Sequence, residues 1–427
     1  VSIIRTGNAM INGTSAQFLV TFSENVTGLN TSDFSITSTG LTSPAVTSVS
    51  GNNDTWTVTV NTGTGSGTLR LDLKSSGTGI INTIGNEIQA GYTAGEVYTV
   101  DKTIPTLTTV SIASNNANTA KAKAGDVVTL SFTASESIGT PVVNIFGNTA
   151  TVVNTATNDW TATYTTQTAD ANGIIPFSIA FVDVAGNVGT AVTATTNASS
   201  VTFDKTVPTL TTVAIVSNNA SNQTAKTGNV ISLTFTASEA VALPIVTIAG
   251  NPVVPTSAGG NSFLASYTLA GTETEGIVAF NIAFTDLAGN AGTAVTATTN
   301  SSSITYDKTI PTLSTVTIAS NNLTTSLAKS GDVITLSFTA SEAIATPTVT
   351  MGGTAVTPTN SGGSNWTATQ TVSGLSPEGV LAFNIAFSDL PGNAGTPVTA
   401  TTNSSSVTVD RTSPAAPTGL AATAGDT

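Results

Sequence analysis

The sequence predicts an all-β chain, a tandem array of four β-sandwich domains forming an elongated rod, and three observations carry that expectation. A short stretch, Asp101-Lys102-Thr103-Ile104-Pro105, returns as Asp204-Lys205-Thr206-Val207-Pro208, as Asp307-Lys308-Thr309-Ile310-Pro311 and as Asp410-Arg411-Thr412-Ser413-Pro414, each Asp 103 residues after the last. A fixed period of about 100 residues is that of small domains in tandem, each long enough to close a core of its own. Thr, Ser, Asn, Ala and Val dominate a chain with only 8% charged residues and a mean hydropathy of +0.23. That mixture favours strands with hydroxyl-bearing faces over helices, and its regular apolar alternation argues against disorder.

Residues 1–100 read as a divergent first domain. Gln17 to Glu24 alternates as a strand with Phe18, Val20 and Phe22 on one face, and Asp54 to Val60 follows an Asn-Asn-Asp turn as a second. Thr68 to Leu73 has the same period of two, and Glu96 to Val100 runs into the first joint. At the joint, Pro fixes its own φ and pushes the residue before it toward extended geometry, which stiffens the link and starts a strand.

The three close repeats, 101–203, 204–306 and 307–409, share one plan. Val110 and Ile112 lie in a first strand, and Val128, Leu130 and Phe132 point inward from a second that ends at Glu136. A Pro-led strand from Pro141 to Phe146 ends at a Gly-Asn turn. Trp160 to Tyr164 is then expected to pair with Phe177 to Phe181, Asp183 to Asn187 is a loop, and Val201 to Phe203 closes the unit. About seven strands in 103 residues is the count of an immunoglobulin-like sandwich. Trp160, Phe263 and Trp366 share one inward slot and read as core fillers. Residues 410–427 are a linker and the start of a further domain.

Composition excludes several classes of function. A net charge of −13, with 11 Lys+Arg scattered along the chain, leaves no basic patch for nucleic acid. Without Cys or His there is no disulfide framework, no thiolate or imidazole metal site and no Ser-His-Asp or Cys-His machinery. No apolar run approaches the ~20 residues of a membrane span, so no membrane insertion is expected in this segment. The chain, beginning at Val1 without Met, reads as a piece of something longer.

The acidic residues carry the most information. Of 24 Asp+Glu, ten stand at repeat-matched positions: Asp101, Asp204, Asp307 and Asp410 at the joints, Glu136, Glu239 and Glu342 after the second strand, and Asp183, Asp286 and Asp389 in the Asp-x-x-Gly-Asn loop. In a sandwich of this topology these segments meet at the pole where the chain comes in. Carboxylates gathered there repel one another unless a cation compensates. Two readings stay open. In one, calcium sits at each joint, held by Asp204, Glu239 and Asp286 with Asn290 in support, and in copies by Asp101, Glu136 and Asp183 and by Asp307, Glu342 and Asp389. In the other, Asp and Asn cap turns through their own backbones and Lys102, Lys205 and Lys308 neutralise the cluster. The first domain keeps Glu24 but has Asn82 where the loop Asp belongs, so its site is expected to be weak or absent.

The series Phe-Thr-Ala-Ser-Glu, Asp-x-x-Gly-Asn and Asp-Lys-Thr-x-Pro, once per unit, resembles the immunoglobulin-like repeats of large bacterial surface adhesins over residues 101–414. Residues 1–100 are similar to a divergent relative of them, through Phe22-Ser23-Glu24 and Ile84-Gly85-Asn86, and Pro414 to Leu420 resembles the opening of a fibronectin type III module. The resemblance implies an extracellular, cell-surface stalk without enzymatic activity. Its partners would be neighbouring domains of the same chain, with binding modules elsewhere, and such repeats often hold calcium. The alternatives are a module that itself grips a glycan or protein ligand or pairs into a fibre, and accessory domains of a secreted hydrolase. Sequons such as Asn12-Gly13-Thr14 are read as composition. Lys-to-Asn cross-links are not expected, because Lys123, Lys226 and Lys329 precede loop glycines. A glycosidase-like pair, Glu136 and Asp183, lacks an aromatic cleft.

Overall fold

Alternation decides the strands. In the computed structural model, which describes residues 1–416, 418 and 419, Val127–Ala134 is buried at every second residue, so Val128, Leu130, Phe132 and Ala134 point inward. This strand is central to a four-stranded antiparallel sheet, flanked by Leu107–Ser114 on one side and by Asp159–Thr165 and Thr151–Asn154 on the other. The facing layer holds Val142–Ile145 between Asn148–Thr149 and Phe177–Ala180, with a small sheet of Lys121–Ala122, Thr202–Phe203 and Gly173–Ile174 beside it. Side chains from both layers close one core: Val110, Ile112, Val128, Leu130 and Phe132 against Val143, Ile145, Ile179, Phe181 and Phe203. The register recurs without slip, Val110 facing Phe132 as Val213 faces Phe235 and Val316 faces Phe338.

The chain falls into two compact units, one of residues 1–207 with 287–290, the other of 208–286 with 291–427. Each contains two separate hydrophobic cores, so the described residues form tandem all-β sandwiches. The first core packs Phe18 edge-on against Tyr98, with ring centroids 5.1 Å apart. The Tyr98 hydroxyl donates to the Gln17 carbonyl at 2.8 Å. Among the described residues no helix is long and apolar enough to cross a membrane. The expected start of a fibronectin-like module lies partly outside the described residues, which stop short of Leu420.

One pairing differs from expectation. Trp160 to Tyr164 does not pair with Phe177 to Phe181. Phe132 faces Trp160 within the first sheet, whereas Val143 faces Ile179 in the opposite one. Antiparallel hairpins are commonly joined by two to five residues, and the segment from Thr166 to Pro176 is too long for that. It folds on itself, with the Asp170 carboxylate accepting the Tyr164 hydroxyl at 3.0 Å and the Gln167 N–H at 2.7 Å, and carries the chain across to the second sheet.

The joints are short because both ends are fixed. The Asp101 N–H donates to the Ile11 carbonyl at 2.8 Å, which holds it to the first domain, and Pro105 is buried in the next. Thr106 and Ser135 then exchange hydrogen bonds, so only Lys102 to Ile104 lie between the two anchors. In the second unit Asp307 donates to Ala225 at 2.9 Å and Pro311 is buried in the same manner.

Candidate metal centre

Each Asp-x-x-Gly-Asn loop is built around its first carboxylate. Asp183 is pinned by an antiparallel bridge to Ile138, three residues after Ser135, and so lies beside the end of the second strand. Its Oδ1 accepts the N–H groups of Gly186 and Asn187, both at 2.7 Å, and its Oδ2 accepts the Asn187 side-chain amide at 2.7 Å. The glycine is required here, since Gly186 has φ of +99°. That same Asn187 amide also donates to the carbonyl of Asp101 at 2.9 Å, tying the loop to the joint. Asp389, Gly392 and Asn393 repeat the arrangement, with Asn393 reaching the Asp307 carbonyl at 3.0 Å.

The joint Asp, the Glu and the loop Asp therefore meet. Carboxylate oxygens of Asp101, Glu136 and Asp183 all lie within 4.8 Å of one another, as do those of Asp307, Glu342 and Asp389. In the second unit Glu239 and Asp286 approach within the same 4.8 Å. Asp204 repeats the local geometry of Asp101: its carboxylate accepts the Thr206 N–H at 2.9 Å and its carbonyl accepts the Asn290 amide at 2.9 Å.

Electrostatics at these poles are unbalanced. Burial pushes the Glu136 carboxyl above its ordinary range, and Asp101 and Asp183 push it further. Glu342 is raised likewise, by burial and then by Asp307, Asp389 and Glu275. Burial raises Asp307 too, with Asp389 and Glu275 adding to it against the Thr309 N–H. Glu275 is a residue that the sequence reading missed. It stands 33 residues before Lys308, in register with Asn172 and Glu378, and accepts the Lys308 N–H at 2.7 Å. The period marked its position, but Asn replaces it in the preceding repeat.

The lysines next to the joint Asp do not neutralise the clusters, which corrects half of the turn-capping reading. Lys102 Nζ donates back into the first domain, to Thr62 Oγ1 and the Gly63 carbonyl. Lys205 reaches the carbonyls of Thr168 and Asp170 at 2.8 and 2.7 Å, and Lys308 those of Gly271 and Glu273 at 3.1 and 2.9 Å. The other half of that reading holds, since Asp101, Asp204 and Asp307 each cap a turn through the N–H two residues on.

The residues fit a hard cation. Glu136 Oε1 and Glu342 Oε1 are buried and accept no hydrogen bond among the described residues, and a buried acceptor without a donor is costly. Oxygens bound to one calcium at ~2.3–2.6 Å lie at most about 5 Å apart, a limit the 4.8 Å clusters respect. Magnesium, with ~2.0–2.1 Å bonds and a near-octahedral shell, suits the wider spacing less well. In the first domain Asn82 donates its amide to Glu24 at 3.2 Å, so an uncharged donor stands where the repeats have a carboxylate.

Neither family models nor curated proteins match the chain. Among solved structures it is similar to a 1.5-MDa bacterial ice-binding adhesin studied for host cell surface retention, at 20% identity and a TM-score of 0.40, over 73% of this chain and 100% of that one. It is also similar to a Ca2+-stabilized adhesin that helps an Antarctic bacterium reach out and bind ice, at 18% identity and a TM-score of 0.46, over 96% of this chain and 99% of that one. The I9–I11 tandem of titin is similar at 10% identity and a TM-score of 0.25, over 68% of this chain and 96% of that one.

Proposed function

We propose that the chain is a spacer segment of a large exported surface protein, an elongated stalk of sandwich domains whose joints are stiffened by calcium. The observation that carries the calcium half is the buried, donorless oxygen of Glu136 and of Glu342, each inside a three-carboxylate cluster from which the neighbouring lysine is directed away. Asp101, Glu136 and Asp183 would hold one ion, Asp307, Glu342 and Asp389 another, and Asp204, Glu239 and Asp286 a third by sequence register. A bound cation supplies the positive charge that these carboxylates lack. Asn187 and Asn393 do not need to bind it; they fix the loop Asp and the joint carbonyl with one amide. Because each set draws its Asp from the joint and its Glu and loop Asp from the domain that follows, an ion there fastens the joint to that domain.

The spacer half is supported by units repeated in register, each with a core of its own. The motif series that resembles adhesin repeats supports an extracellular, bacterial surface location. A groove of about 480 Å³ along Ser35, Asp72, Lys74 and Thr93 of the first domain has no aromatic side chain in its lining on which a sugar would stack. The Glu136 and Asp183 pair is likewise a poor hydrolytic couple, since Asp183 is buried and its oxygens are engaged by its own loop.

Melting with calcium and then with chelator tests the metal. Calcium at ~100-fold above its Kd adds about 2.7 kcal/mol per site, and Glu136→Gln and Glu342→Gln should each remove part of that gain. Identical melting in both conditions, with no calcium heat by calorimetry, would return these residues to turn capping. Small-angle scattering tests the spacer: a compact globular radius for the 427-residue chain would overturn it.

A further inference from the structure

Each joint turn is capped from the domain before it, and the capping residue changes from joint to joint. The Lys102 N–H donates to Ser66 Oγ at 2.8 Å and the Lys205 N–H to Asn172 Oδ1 at 3.0 Å. At the third joint the Lys308 N–H donates to Glu275 Oε1 at 2.7 Å, and the Thr309 hydroxyl donates to the same oxygen at 2.8 Å. At the fourth the Arg411 N–H donates to Glu378 at 3.3 Å. Ser66 and Asn172 show that the cap needs an acceptor but no charge. Glu378 has its charge met, because Arg411 Nε lies 3.5 Å from its Oε1. Glu275 makes no ion pair among the described residues, since Lys308 Nζ turns back to the Gly271 and Glu273 carbonyls.

That charge stands where negative charge is already in excess. A groove of about 400 Å³ at this joint is lined by Glu275, Asp307 and Glu342, with Thr309 and Ser341 beside them. Glu275 is not part of the 4.8 Å triad of Asp307, Glu342 and Asp389, yet it faces the same groove. Burial raises Asp307 and Glu342 first, and the Glu275 charge adds to the rise in both. The domain that carries Glu275 is also held against the Asp389 loop. Asn219 donates to the Pro391 carbonyl at 2.9 Å and Lys226 Nζ to the Gly392 carbonyl at 2.7 Å. Asn116 makes the corresponding bond to the Ala288 carbonyl at 2.7 Å one joint earlier, where the uncharged Asn172 occupies the position of Glu275.

We propose that Glu275 is a fourth carboxylate for the cation at the Asp307 joint, supplied by the domain before it. This rests on the calcium reading above and sets one joint apart from its neighbours. The ions at Asp101 and Asp204 take their carboxylates from the joint and the domain that follows. The ion at Asp307 draws on the preceding domain as well, so loading it fastens the joint on both sides. Calcium affinity rises with the number of charged ligands, which makes this site the tightest of the three and the first to fill.

Calcium titration calorimetry of the full chain tests this in two backgrounds. With Glu136→Gln and Glu239→Gln weakening the other two sites, the tightest binding left is that of the Asp307 site, and Glu275→Gln should weaken it several-fold. Gln keeps an oxygen for the Lys308 N–H, so the cap survives and only the charge is lost. With Glu136→Gln and Glu342→Gln instead, Asn172→Glu should tighten the Asp204 site by a similar factor. In the otherwise unchanged chain, Glu275→Gln should raise the melting temperature in chelator and lower it in calcium, whereas loss of a mere cap would shift both the same way. Calcium should also slow amide exchange across residues 271–276 in the parent and not in Glu275→Gln. Parent-like affinity in Glu275→Gln, or melting shifts of one sign, would overturn the inference and leave calcium at the triads. Absence of calcium heat in the parent chain would instead overturn the calcium reading itself, and the inference with it.

Discussion

Asn187 donates one side-chain amide to both the carbonyl of Asp101 and the carboxylate of Asp183, at 2.9 and 2.7 Å. A single planar group therefore fixes the joint backbone and one wall of the carboxylate cluster together. Asn187→Ala should leave Asp183, only 6% exposed, short of a donor and cost about 1–3 kcal/mol, measured by urea unfolding. Asn187→Asp should cost more in chelator than in calcium, because it adds another like charge to the cluster.

Acidity should act on the calcium-free chain in two opposite directions. Glu136 and Glu342 have folded values above the ordinary 4.5, through burial and neighbouring carboxylates. As pH rises past 4.5 the unfolded chain releases these protons first, so their contribution to stability is present below that pH and lost as pH passes the folded values. Glu273 behaves oppositely. Burial works against its charge, but the Tyr267 hydroxyl and the N–H groups of Ala270 and Gly271 hold it at about 2, so its contribution is present above 4.5 and lost as pH falls toward 2. Melting in chelator between pH 4 and 7 should fall where Glu136 and Glu342 ionise, and calcium should remove that fall.

The first domain offers the converse experiment. Asn82→Asp would exchange the amide that donates to Glu24 for a second carboxylate. We expect this variant to be destabilised in chelator and partly rescued by calcium, whereas the parent first domain responds to neither. Thermal melts of both chains, in calcium and in chelator, check it.

Gly292→Ala should be costly for steric reasons alone. A Cβ there would lie 2.3 Å from the buried Phe284 ring, and overpacking of that kind costs about 1–3 kcal/mol. Gly189 and Gly395 meet Phe181 and Phe387 in the same way, at 2.2 and 2.3 Å, so the three alanine variants should unfold at similarly lowered urea concentrations.

Phe132, Leu130 and Val128 were legible as core because a period of two assigns each side chain to a face. The same period does not say which strand lies alongside, and so Trp160 was given the wrong neighbour. The acidic triads were legible because a carboxylate kept at every 103rd position in a chain this poor in charge stands out. Lys102 was misread from its place beside Asp101. The Asx turn that Asp101 makes with Thr103 sends the intervening side chain back toward Thr62 and Gly63, a direction that adjacency in sequence does not reveal. Glu275 was missed because Asn172 holds its position one repeat earlier. The hydrogen bonds of Asn116 and Asn219 to the following repeat were not legible, since their partners lie 172 residues away.

The last strand of each repeat has a mechanical consequence. Thr202–Phe203 runs parallel to Lys121–Ala122, with Thr202 donating to Ala120 at 2.9 Å and Asp204 to Ala122 at 2.8 Å. A pull applied at Asp204 along the chain acts along this pair, so its hydrogen bonds are loaded in shear and must fail together instead of opening one after another. Thr305 and Asp307 make the matching bonds to Gln223 and Ala225, and Thr408 and Asp410 those to Ser326 and Ala328. Every repeat thus resists tension at the point where it hands the chain to the next.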